Sequence, residues 1–474
     1  MDVKPDNQGL KVLFVAYHYL PTKGTGIPGS MRTIKFVRNL NSCDCHVLTV
    51  RKPDVVESES PLGHLTPPIN GETVHRAGAL DLFAMLLRVR RRIKRLLGKT
   101  GDRGAHTTQV FKSQSSKPDQ SKSAIQRFKD FIYNLFYFPD QESPWIPLAV
   151  IKGWRVVRRE RINVIFATGS PWSGLLAGYF ISRLTGIPLV VDFRDPWVGN
   201  PFHHSKGRFL DRLAIRMEKR LVRHATTVSL NTDALRDEFL TRYPDVDETK
   251  LIVLPNGYDR QEFDGLGGDS AIGSRLDEIT LCHAGFLYGV RDPGPLLDAI
   301  RQTQTDLDQQ GVRVRFIQIG HVKLDYDINQ RYADLIDSGG LELLPQKSYR
   351  ECLEYLSSAD MLVNIQPGTQ TQIPSKIYDY LALNKPILNI TPADGALARM
   401  VSEYDFGALC SPEDCSAIGS VLRKLARDKR DGRPFEPYAN RNQFDIERIS
   451  EKLNARFQSI VFGTSSESVE SARS

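Results

Sequence analysis

A lysine at the start of a helical pattern is the first residue that suggests chemistry. The run from Pro367 to Leu381 passes from an apolar segment through a polar loop into helical periodicity, so that Ser375 and Lys376 fall at the helix start. Free N–H groups, the helix dipole and an ammonium together suit a diphosphate. Asp379, one turn further on, could accept hydrogen bonds from ribose hydroxyls. The alternative is a capped helix with a solvated lysine.

An arginine occupies a corresponding loop earlier in the second half of the chain. The segment Phe286–Arg291 follows an apolar run, and Arg291 could neutralise the charge that develops on a second phosphate as a leaving group departs. The alternative is a surface arginine. Together with Lys376, this residue makes departure of a nucleoside diphosphate the first chemistry to consider.

Two loops in the first half are candidates for the other reactant. The cluster Asp192-Phe-Arg194-Asp195 ends an apolar run, where it could line a cleft and contact a sugar, or form a structural ion-pair network. Gly24 and Gly26, preceded by His18, follow the first apolar run and could let the backbone approach a phosphate or an acceptor sugar closely. The glycine spacing does not fit a dinucleotide fingerprint, and a plain turn is the alternative.

The elements that must position these residues alternate between strands and helices. Apolar runs of strand length alternate with helical patterns twice over, which predicts two α/β units with parallel sheets. A glycine-rich, polar stretch near residues 262–277 separates them, as expected for a linker. The predicted boundaries are residues 1–262, a linker at 263–277, 278–436, a terminal helix at 437–462 that returns to the first domain, and a disordered tail at 463–474.

Length and composition agree with this organisation. A chain of 474 residues exceeds the size at which one core usually stops growing, and 41% hydrophobic and 25% charged residues are ordinary for a globular protein. The start of the chain lacks the layout of a secretory signal, and no apolar run approaches the length of a membrane span, so we expect a cytoplasmic protein. Six cysteines match neither a disulfide framework nor a zinc site.

The positive charge belongs to one insertion at about residues 83–140. Thirteen Lys/Arg and two Asp between Arg88 and Lys129 give this segment a net charge of +11, whereas the whole chain carries +7. Residues 83–97 combine a helical apolar stripe with a cationic face, and a second apolar face follows at 128–136. Such a segment can lie on an anionic membrane surface, or both helices can pack on the first domain. No nucleic-acid recognition motif accompanies the charge, so no nucleic-acid partner is expected.

With the insertion and the tail set aside, the chain resembles the retaining family 4 glycosyltransferases of GT-B fold. The matching segments are residues 253–259, 192–195, Gly285 with Arg291, and the run from Pro374 to Pro386. The resemblance implies two Rossmann-like domains facing across a cleft, with an acceptor in the first domain and a UDP- or GDP-linked sugar in the second. It also implies that no metal or other cofactor is required.

Site residues follow from the same resemblance. The catalytic group would comprise Arg291, Lys376, Asp195 and Arg194, and the donor site Gly285, Ser375, Asp379, Thr371 and Gln372. The acceptor side would comprise Gly24, Gly26, His18 and Asp192. The two positions of the family's Glu-x7-Glu element are occupied by Thr371 and Asp379, and the usual His-Asp pair is Arg194-Asp195.

The expected activity is therefore transfer of a sugar, with retention, to a glycan or lipid-linked acceptor in the synthesis of a cell-surface polysaccharide or glycoconjugate. The inner face of the cell membrane is the expected place for a peripheral enzyme of this kind. The altered Glu-x7-Glu element leaves open a non-catalytic protein that binds sugar nucleotides or acts as a scaffold. A sugar-nucleotide epimerase of the same fold is a further alternative.

Overall fold

Buried apolar runs form the strands of two parallel sheets. The computed structural model describes residues 9–20, 28–51, 65–83, 85, 124–200, 205–266, 275 and 277–463. Gly24 and Gly26, nearly all of the predicted helix at 83–97, most of the linker and the residues after Gly463 lie outside the described residues. Among the described helices, none combines the length and the apolar character that crossing a bilayer requires.

The first sheet contains seven parallel strands in the order β3-β2-β1-β4-β5-β6-β7. Its unit has the elements β1 (Lys11–Val15), α1 (Pro28–Asn39), β2 (Asp44–Val50), β3 (Thr73–Ala77), α2 (Ala124–Phe136), α3 (Ile146–Glu160), β4 (Val164–Gly169), α4 (Trp172–Thr185), β5 (Leu189–Phe193), α5 (Arg208–His224), β6 (Thr227–Leu230), α6 (Asp233–Arg242) and β7 (Leu251–Val253). The strand order reverses between β1 and β4, so the loops that follow these two strands diverge to opposite faces. A crevice opens between such loops.

The second sheet contains six parallel strands in the order β12-β10-β8-β13-β14-β15. Its unit has the elements β8 (Glu278–Ala284), β9 (Leu287–Tyr288), α7 (Gly294–Asp308), β10 (Arg313–Ile319), β11 (Val322–Lys323), α8 (Ile328–Arg331), α9 (Ala333–Asp337), β12 (Leu341–Leu344), α10 (Tyr349–Ser358), β13 (Met361–Ile365), α11 (Lys376–Leu383), β14 (Ile387–Ile390), α12 (Ala396–Tyr404), β15 (Ala408–Cys410) and α13 (Cys415–Arg430). Here the order reverses between β8 and β13. The loops that carry Arg291 and Lys376 follow these two strands.

The last described helix, α14 (Ile446–Phe462), packs on the first unit rather than on the second. Leu453 and Phe457 are fully buried in a core that includes Phe14 and Phe166. The chain leaves the first unit after Tyr258 and returns to it at residues 444–446. These two segments are neighbours, since they exchange backbone hydrogen bonds of 3.0 and 2.9 Å. Both connections therefore run along one edge of the cleft.

Candidate functional site

The ammonium of Lys376 lies at the first turn of α11, against a fully buried histidine. Lys376 Nζ is 2.8 Å from His283 Nε2, near the carboxyl end of β8. On the far side of the ring, His283 Nδ1 is 2.7 Å from Gln318 Oε1, and Gln318 Nε2 donates to the carbonyl of Gly285 at 2.8 Å. That last bond turns the amide oxygen of Gln318 towards the ring, so Nδ1 carries the proton and Nε2 accepts from Lys376.

The charge states of this pair follow from their burial. The pKa of Lys376 is lowered to about 7, mainly by burial and also by the neighbouring guanidinium of Arg291, while the carboxylate of Asp379 acts in the opposite direction. Burial also holds the pKa of His283 well below its ordinary value, with the ammonium of Lys376 acting in the same direction. A neutral imidazole beside a readily titrated ammonium is therefore the resting state at neutral pH.

Arg291 lies in the same cleft as Lys376. Its guanidinium carbon is 5.3 Å from the ring centroid of Tyr288, and its Nε is buried with no hydrogen-bond partner among the described residues. A buried donor without a partner costs free energy, and a ligand in the cleft can satisfy it. The loop after β8 and the start of α11 thus bring two cationic side chains to one site.

Gly285 lies between the end of β8 and the start of α11, where no residue with a side chain would fit. Its φ is +140°, and a Cβ at this position would lie 2.9 Å from Lys376 Nζ. The close approach of the ammonium to the backbone after β8 therefore requires glycine.

The Asp192–Asp195 cluster is divided between the core and the cleft. Asp192 is fully buried and accepts from Arg32 Nε at 3.1 Å, Arg32 Nη2 at 3.0 Å, and the hydroxyls of Thr168 and Ser229 at 2.8 Å each. All four interactions lie within the first unit. The structural ion-pair alternative describes this carboxylate well, and the structure places it away from the cleft wall.

Arg194 and Asp195 lie at the cleft wall. Arg194 is buried and donates to the carbonyl of Ser170 through Nη2, whereas its Nε has no partner among the described residues. Asp195 Oδ1 accepts from Gln372 Nε2 of the second unit at 2.8 Å. A second bond between the units joins the hydroxyl of Thr232 to the backbone carbonyl of Thr371 at 2.8 Å. These two bonds hold the units together across the site.

A cavity of about 450 Å³ separates the carboxyl ends of the two sheets. Its lining includes Ser170, Arg194, Asp195, Asn200, Asn231 and Asn256 from the first unit, and Arg291, Gln366, Gln372, Ser375 and Lys376 from the second. Four buried polar atoms around it have no partner among the described residues: Nε of Arg194 and Arg291, Nε2 of Gln366 and Oε1 of Gln372. Such a concentration of unsatisfied groups marks a site built for a polar ligand.

Asp379 lies on an adjoining cavity of about 150 Å³ that shares Ser375 with the first. Its Oδ1 accepts from the hydroxyl of Tyr349 at 3.1 Å. Burial raises the pKa of Asp379 to about 6, which Lys35 opposes and the carboxylate of Glu262 reinforces. Lys35 itself forms an ion pair with Glu262 at 3.0 Å. The carboxylate is thus next to the larger cavity, with cationic side chains of α1 facing it.

The remaining expected site residues have simple placements. Ser375 is exposed at the junction of the two cavities, and His18 is half-buried with its ring against Tyr17, 4.9 Å between centroids. Within the described chain, no group of three His, Cys, Asp or Glu side chains could hold a metal ion.

Residue-type reasoning missed His283, Gln318 and Gln366. The available signal was a polar residue near the end of a buried strand run, as in Thr280-Leu-Cys-His283 and Phe316-Ile-Gln318. A polar side chain in such a position must have a partner, and the parallel register pairs His283 with Gln318.

Comparison with known proteins gives a family for part of the chain and a fold for the whole. Residues 89–257 match the family described as Glycosyl transferase 4-like domain. Comparison with curated proteins gave no match.

Solved structures match over nearly the whole chain at low identity. A structure of Anabaena HepE in complex with UDP is 13% identical, with a TM-score of 0.53 and coverage of 95% of this chain and 100% of that one. The sucrose-phosphate synthase of Thermosynechococcus elongatus is 13% identical, with a TM-score of 0.54 and coverage of 96% and 100%. An E. coli trehalose-6-phosphate structure bound with UDP-2-fluoro glucose is 10% identical, with a TM-score of 0.54 and coverage of 95% and 99%. The chain therefore has the GT-B fold.

Proposed function

We propose that the protein is a glycosyltransferase that takes a sugar from a UDP- or GDP-linked donor and transfers it to a glycan or lipid-linked acceptor. The observation that carries this proposal is the convergence of Arg291 and Lys376 with the start of α11 in a cleft of unsatisfied polar groups. Two cations and a helix N-terminus suit a diphosphate, whose charge grows as the glycosidic bond breaks. The family match over residues 89–257 and the UDP-containing structures of the same fold add support.

The proposed roles divide along the cleft. Arg291 and Lys376 neutralise the departing diphosphate, with Gly285 and Ser375 at its backbone side and Asp379 towards the ribose. Gln372 contacts the donor sugar from the cavity lining, with Thr371 beside it in sequence, and Arg194 and Asp195 belong to the catalytic group on the first-unit wall. His18 is assigned to the acceptor side. Because these cations already supply the charge neutralisation, we infer transfer without a metal ion. From the resemblance to retaining enzymes we further infer retention, by acceptor attack on the face from which the diphosphate leaves.

The setting follows from the acceptor. We place the activity in the synthesis of a cell-surface polysaccharide or glycoconjugate, in the cytoplasm, on the inner face of the cell membrane. The basic segment at 83–97 would hold the enzyme on anionic lipid, where a lipid-linked acceptor is found.

A thermal-shift panel of UDP, GDP, ADP and their sugars tests the donor class. A ligand at 100 times its dissociation constant adds about 2.7 kcal/mol to the free energy of unfolding. We expect a shift with one base only. The absence of a shift with every nucleotide would contradict donor binding.

Turnover tests the reaction itself, by release of the nucleoside diphosphate with and without a lipid extract as acceptor source. Arg291→Ala and Lys376→Ala should each lower turnover by about 100- to 1,000-fold. Arg301→Ala and Lys385→Ala are matched controls, because these cations bind Asp334 and the carbonyl of Ala359 outside the cleft. Wild-type turnover in the two cleft variants would rule out the proposed roles.

The residues at the two Glu-x7-Glu positions favour a second candidate function. Thr371 replaces a carboxylate and Asp379 is shorter than glutamate, which is compatible with a non-catalytic protein that binds sugar nucleotides or acts as a scaffold. Nucleotide binding without turnover would favour that candidate. Conversion of the donor sugar without an acceptor would instead indicate an epimerase.

A further inference from the structure

Exposed large apolar side chains are concentrated in the first unit. Of the fourteen large apolar side chains exposed within the described residues, ten belong to that unit. Phe209 on α5 is 59% exposed and Met85 is 53% exposed. A soluble monomer rarely leaves such side chains clustered without a partner.

Ring contacts show that the central members form one surface. Phe83 lies 5.5 Å from Phe136 on α2, and Phe131 on α2 lies 5.9 Å from Phe209 on α5, measured between ring centroids. These contacts join Phe83 to α2, and α2 to α5. We call this surface the α2–α5 face. Its exposed apolar side chains include Leu82, Met85, Leu135, Phe136, Phe209 and Ile215.

The α2–α5 face is also cationic. Helix α5 carries exposed arginines at every fourth position, namely Arg208, Arg212, Arg216 and Arg220. Of its two acidic residues, Glu218 is fully buried and bonds Arg242 and Tyr243, while Asp211 accepts from the backbone of Lys206 at 3.1 Å. The four exposed arginines are therefore opposed on this helix by one carboxylate that is not buried, Asp211.

The basic insertion is attached to the same face. Met85 belongs to the face, and the chain returns to the described fold at Ala124, where α2 begins. The residues between them, 86–123, contain eleven Lys/Arg and two Asp. The chain that connects Met85 to α2 therefore carries a net charge of +9, from eleven positive and two negative side chains.

The combination of exposed apolar side chains and arginines indicates which kind of partner the α2–α5 face binds. Arginines alone would serve any polyanion, but aliphatic Leu, Met and Ile side chains gain nothing from a phosphate backbone. Buried in the acyl boundary of a bilayer, each methylene contributes about 0.8 kcal/mol, and each Lys/Arg near an anionic surface about 1 kcal/mol. We propose that the α2–α5 face docks on an anionic lipid bilayer, with its apolar side chains at the acyl boundary and the α5 arginines among the headgroups.

The biological purpose of this docking rests on the proposed function. The proposal adds the folded α2–α5 face to the segment at 83–97 as a membrane-binding surface. Helix α5 follows the loop that carries Asn200, which lines the cleft. An enzyme held by this face would keep the first-unit side of the cleft next to the bilayer, where a lipid-linked acceptor lies.

Vesicle flotation of the full chain tests the proposal, without any nucleotide. The probes are vesicles of phosphatidylcholine alone and of an equal mixture of phosphatidylcholine and phosphatidylglycerol. We expect binding to the anionic vesicles only, weakened by salt. Arg212→Gln with Arg216→Gln should lower partitioning by about 25-fold, and Phe209→Ser with Ile215→Ser by at least several-fold.

Matched substitutions in the second unit provide the controls. Lys424→Gln with Arg427→Gln removes two exposed cations from α13, and Phe435→Ser removes an exposed aromatic side chain, so each should partition as wild type does. The α5 variants should keep the wild-type Tm and the nucleotide-induced thermal shift, since their side chains are exposed and lie outside the cleft lining.

Three outcomes would overturn the proposal. They are wild-type partitioning of both α5 variants, equal binding of the wild type to neutral and anionic vesicles, and retention on single-stranded RNA with no retention on vesicles. Because no donor is present, a failure here leaves the nucleotide-binding result intact, and a failure of nucleotide binding leaves this result intact.

Discussion

Lys376 Nζ lies 2.8 Å from His283 Nε2, and the opposite nitrogen of the same ring faces Gln318 Oε1 at 2.7 Å. The amide of Gln318 therefore fixes the tautomer that gives the lysine its acceptor. An ammonium that is held by a neutral group, with a second cation nearby, gains a strong partner only when an anion enters the cleft. Anion binding and protonation of Lys376 are consequently linked.

Donor affinity should depend on pH through this lysine. Since the pKa of Lys376 is lowered to about 7 and a bound diphosphate favours the ammonium, affinity should be constant below that pH and fall by up to tenfold per unit above it. Calorimetric titration with the sugar nucleotide that binds, between about pH 6 and pH 9, measures the profile, because its esterified diphosphate does not titrate there. Lys385→Met should keep the profile, and a wild-type profile in Lys376→Met would contradict the assignment.

His283→Leu should shift the pH dependence of donor affinity to lower pH, and should not simply lower the affinity equally at every pH. Without the Nε2 acceptor, the ammonium loses a stabilising hydrogen bond, so the pKa of Lys376 falls and the midpoint of the affinity profile shifts to lower pH. The same titrations on the variant provide the measurement. If His283 only supports the fold, affinity would drop by the same factor at every pH, with an unchanged midpoint.

Lys376 should cost the protein stability. Its folded pKa lies below its unfolded value, so between about pH 7 and pH 10 the unfolded chain binds more protons and stability rises with pH. Lys376→Met should therefore raise Tm at neutral pH by at least ~2–4 °C, corresponding to about 1 kcal/mol or more. The advantage over wild type should narrow as pH rises towards 10. A lower Tm in the variant at pH 7 would show that the ammonium is instead well paired.

Gly285→Ala should impair donor binding beyond its backbone penalty. The new Cβ would displace the ammonium of Lys376, and loss of one charge-assisted hydrogen bond corresponds to about 10- to 100-fold in affinity. Gly311→Ala is the matched control, since Gly311 also has a positive φ, +70°, but no atom lies within 4 Å of a Cβ there. Equal donor affinity in the two variants would mean that the close approach has no role in binding.

Asp192→Asn tests whether this residue is structural. Removal of its charge leaves Arg32 buried without a counter-ion, which should lower the free energy of unfolding by about 3–5 kcal/mol in urea denaturation. Asp44→Asn, which breaks the exposed pair with Lys11 on the same sheet, should cost less than about 1 kcal/mol. A variant of wild-type stability with reduced turnover would instead support the sugar contact.

Much of the architecture was accessible from residue patterns. The apolar runs Glu278–Ala284 and Met361–Ile365 predict strands and the helical pattern at Tyr349–Ser358 predicts a helix, and the structure contains them with the same bounds as β8, β13 and α10. Edge strand β3, Thr73–Ala77, was missed because its sequence includes three polar residues and therefore no continuous apolar run. The first apolar run of the sequence, Lys11–Tyr17, predicts a strand of that length, whereas β1 ends at Val15.

The site was less accessible, for a physical reason. The pattern could place Arg291 and Lys376 at strand ends, but the contact with His283 depends on which strands are neighbours. Strands β8 and β10 pair in a register that sets Gln318 beside His283, whereas Lys376 enters from beyond β13. Likewise, Asp379 was expected in one donor site with Lys376, while the turn of α11 directs it into the adjoining smaller cavity.

The return of α14 to the first unit has a consequence for biosynthesis. One core of that unit's sheet is completed by α1 together with residues such as Leu453 and Phe457, which are encoded after the whole of the second unit. During translation, domains ordinarily fold in order as they emerge from the ribosome. Here the packing of Leu453 and Phe457 on Phe14 and Phe166 can form only after the second unit has been synthesised, so the first unit completes its folding late.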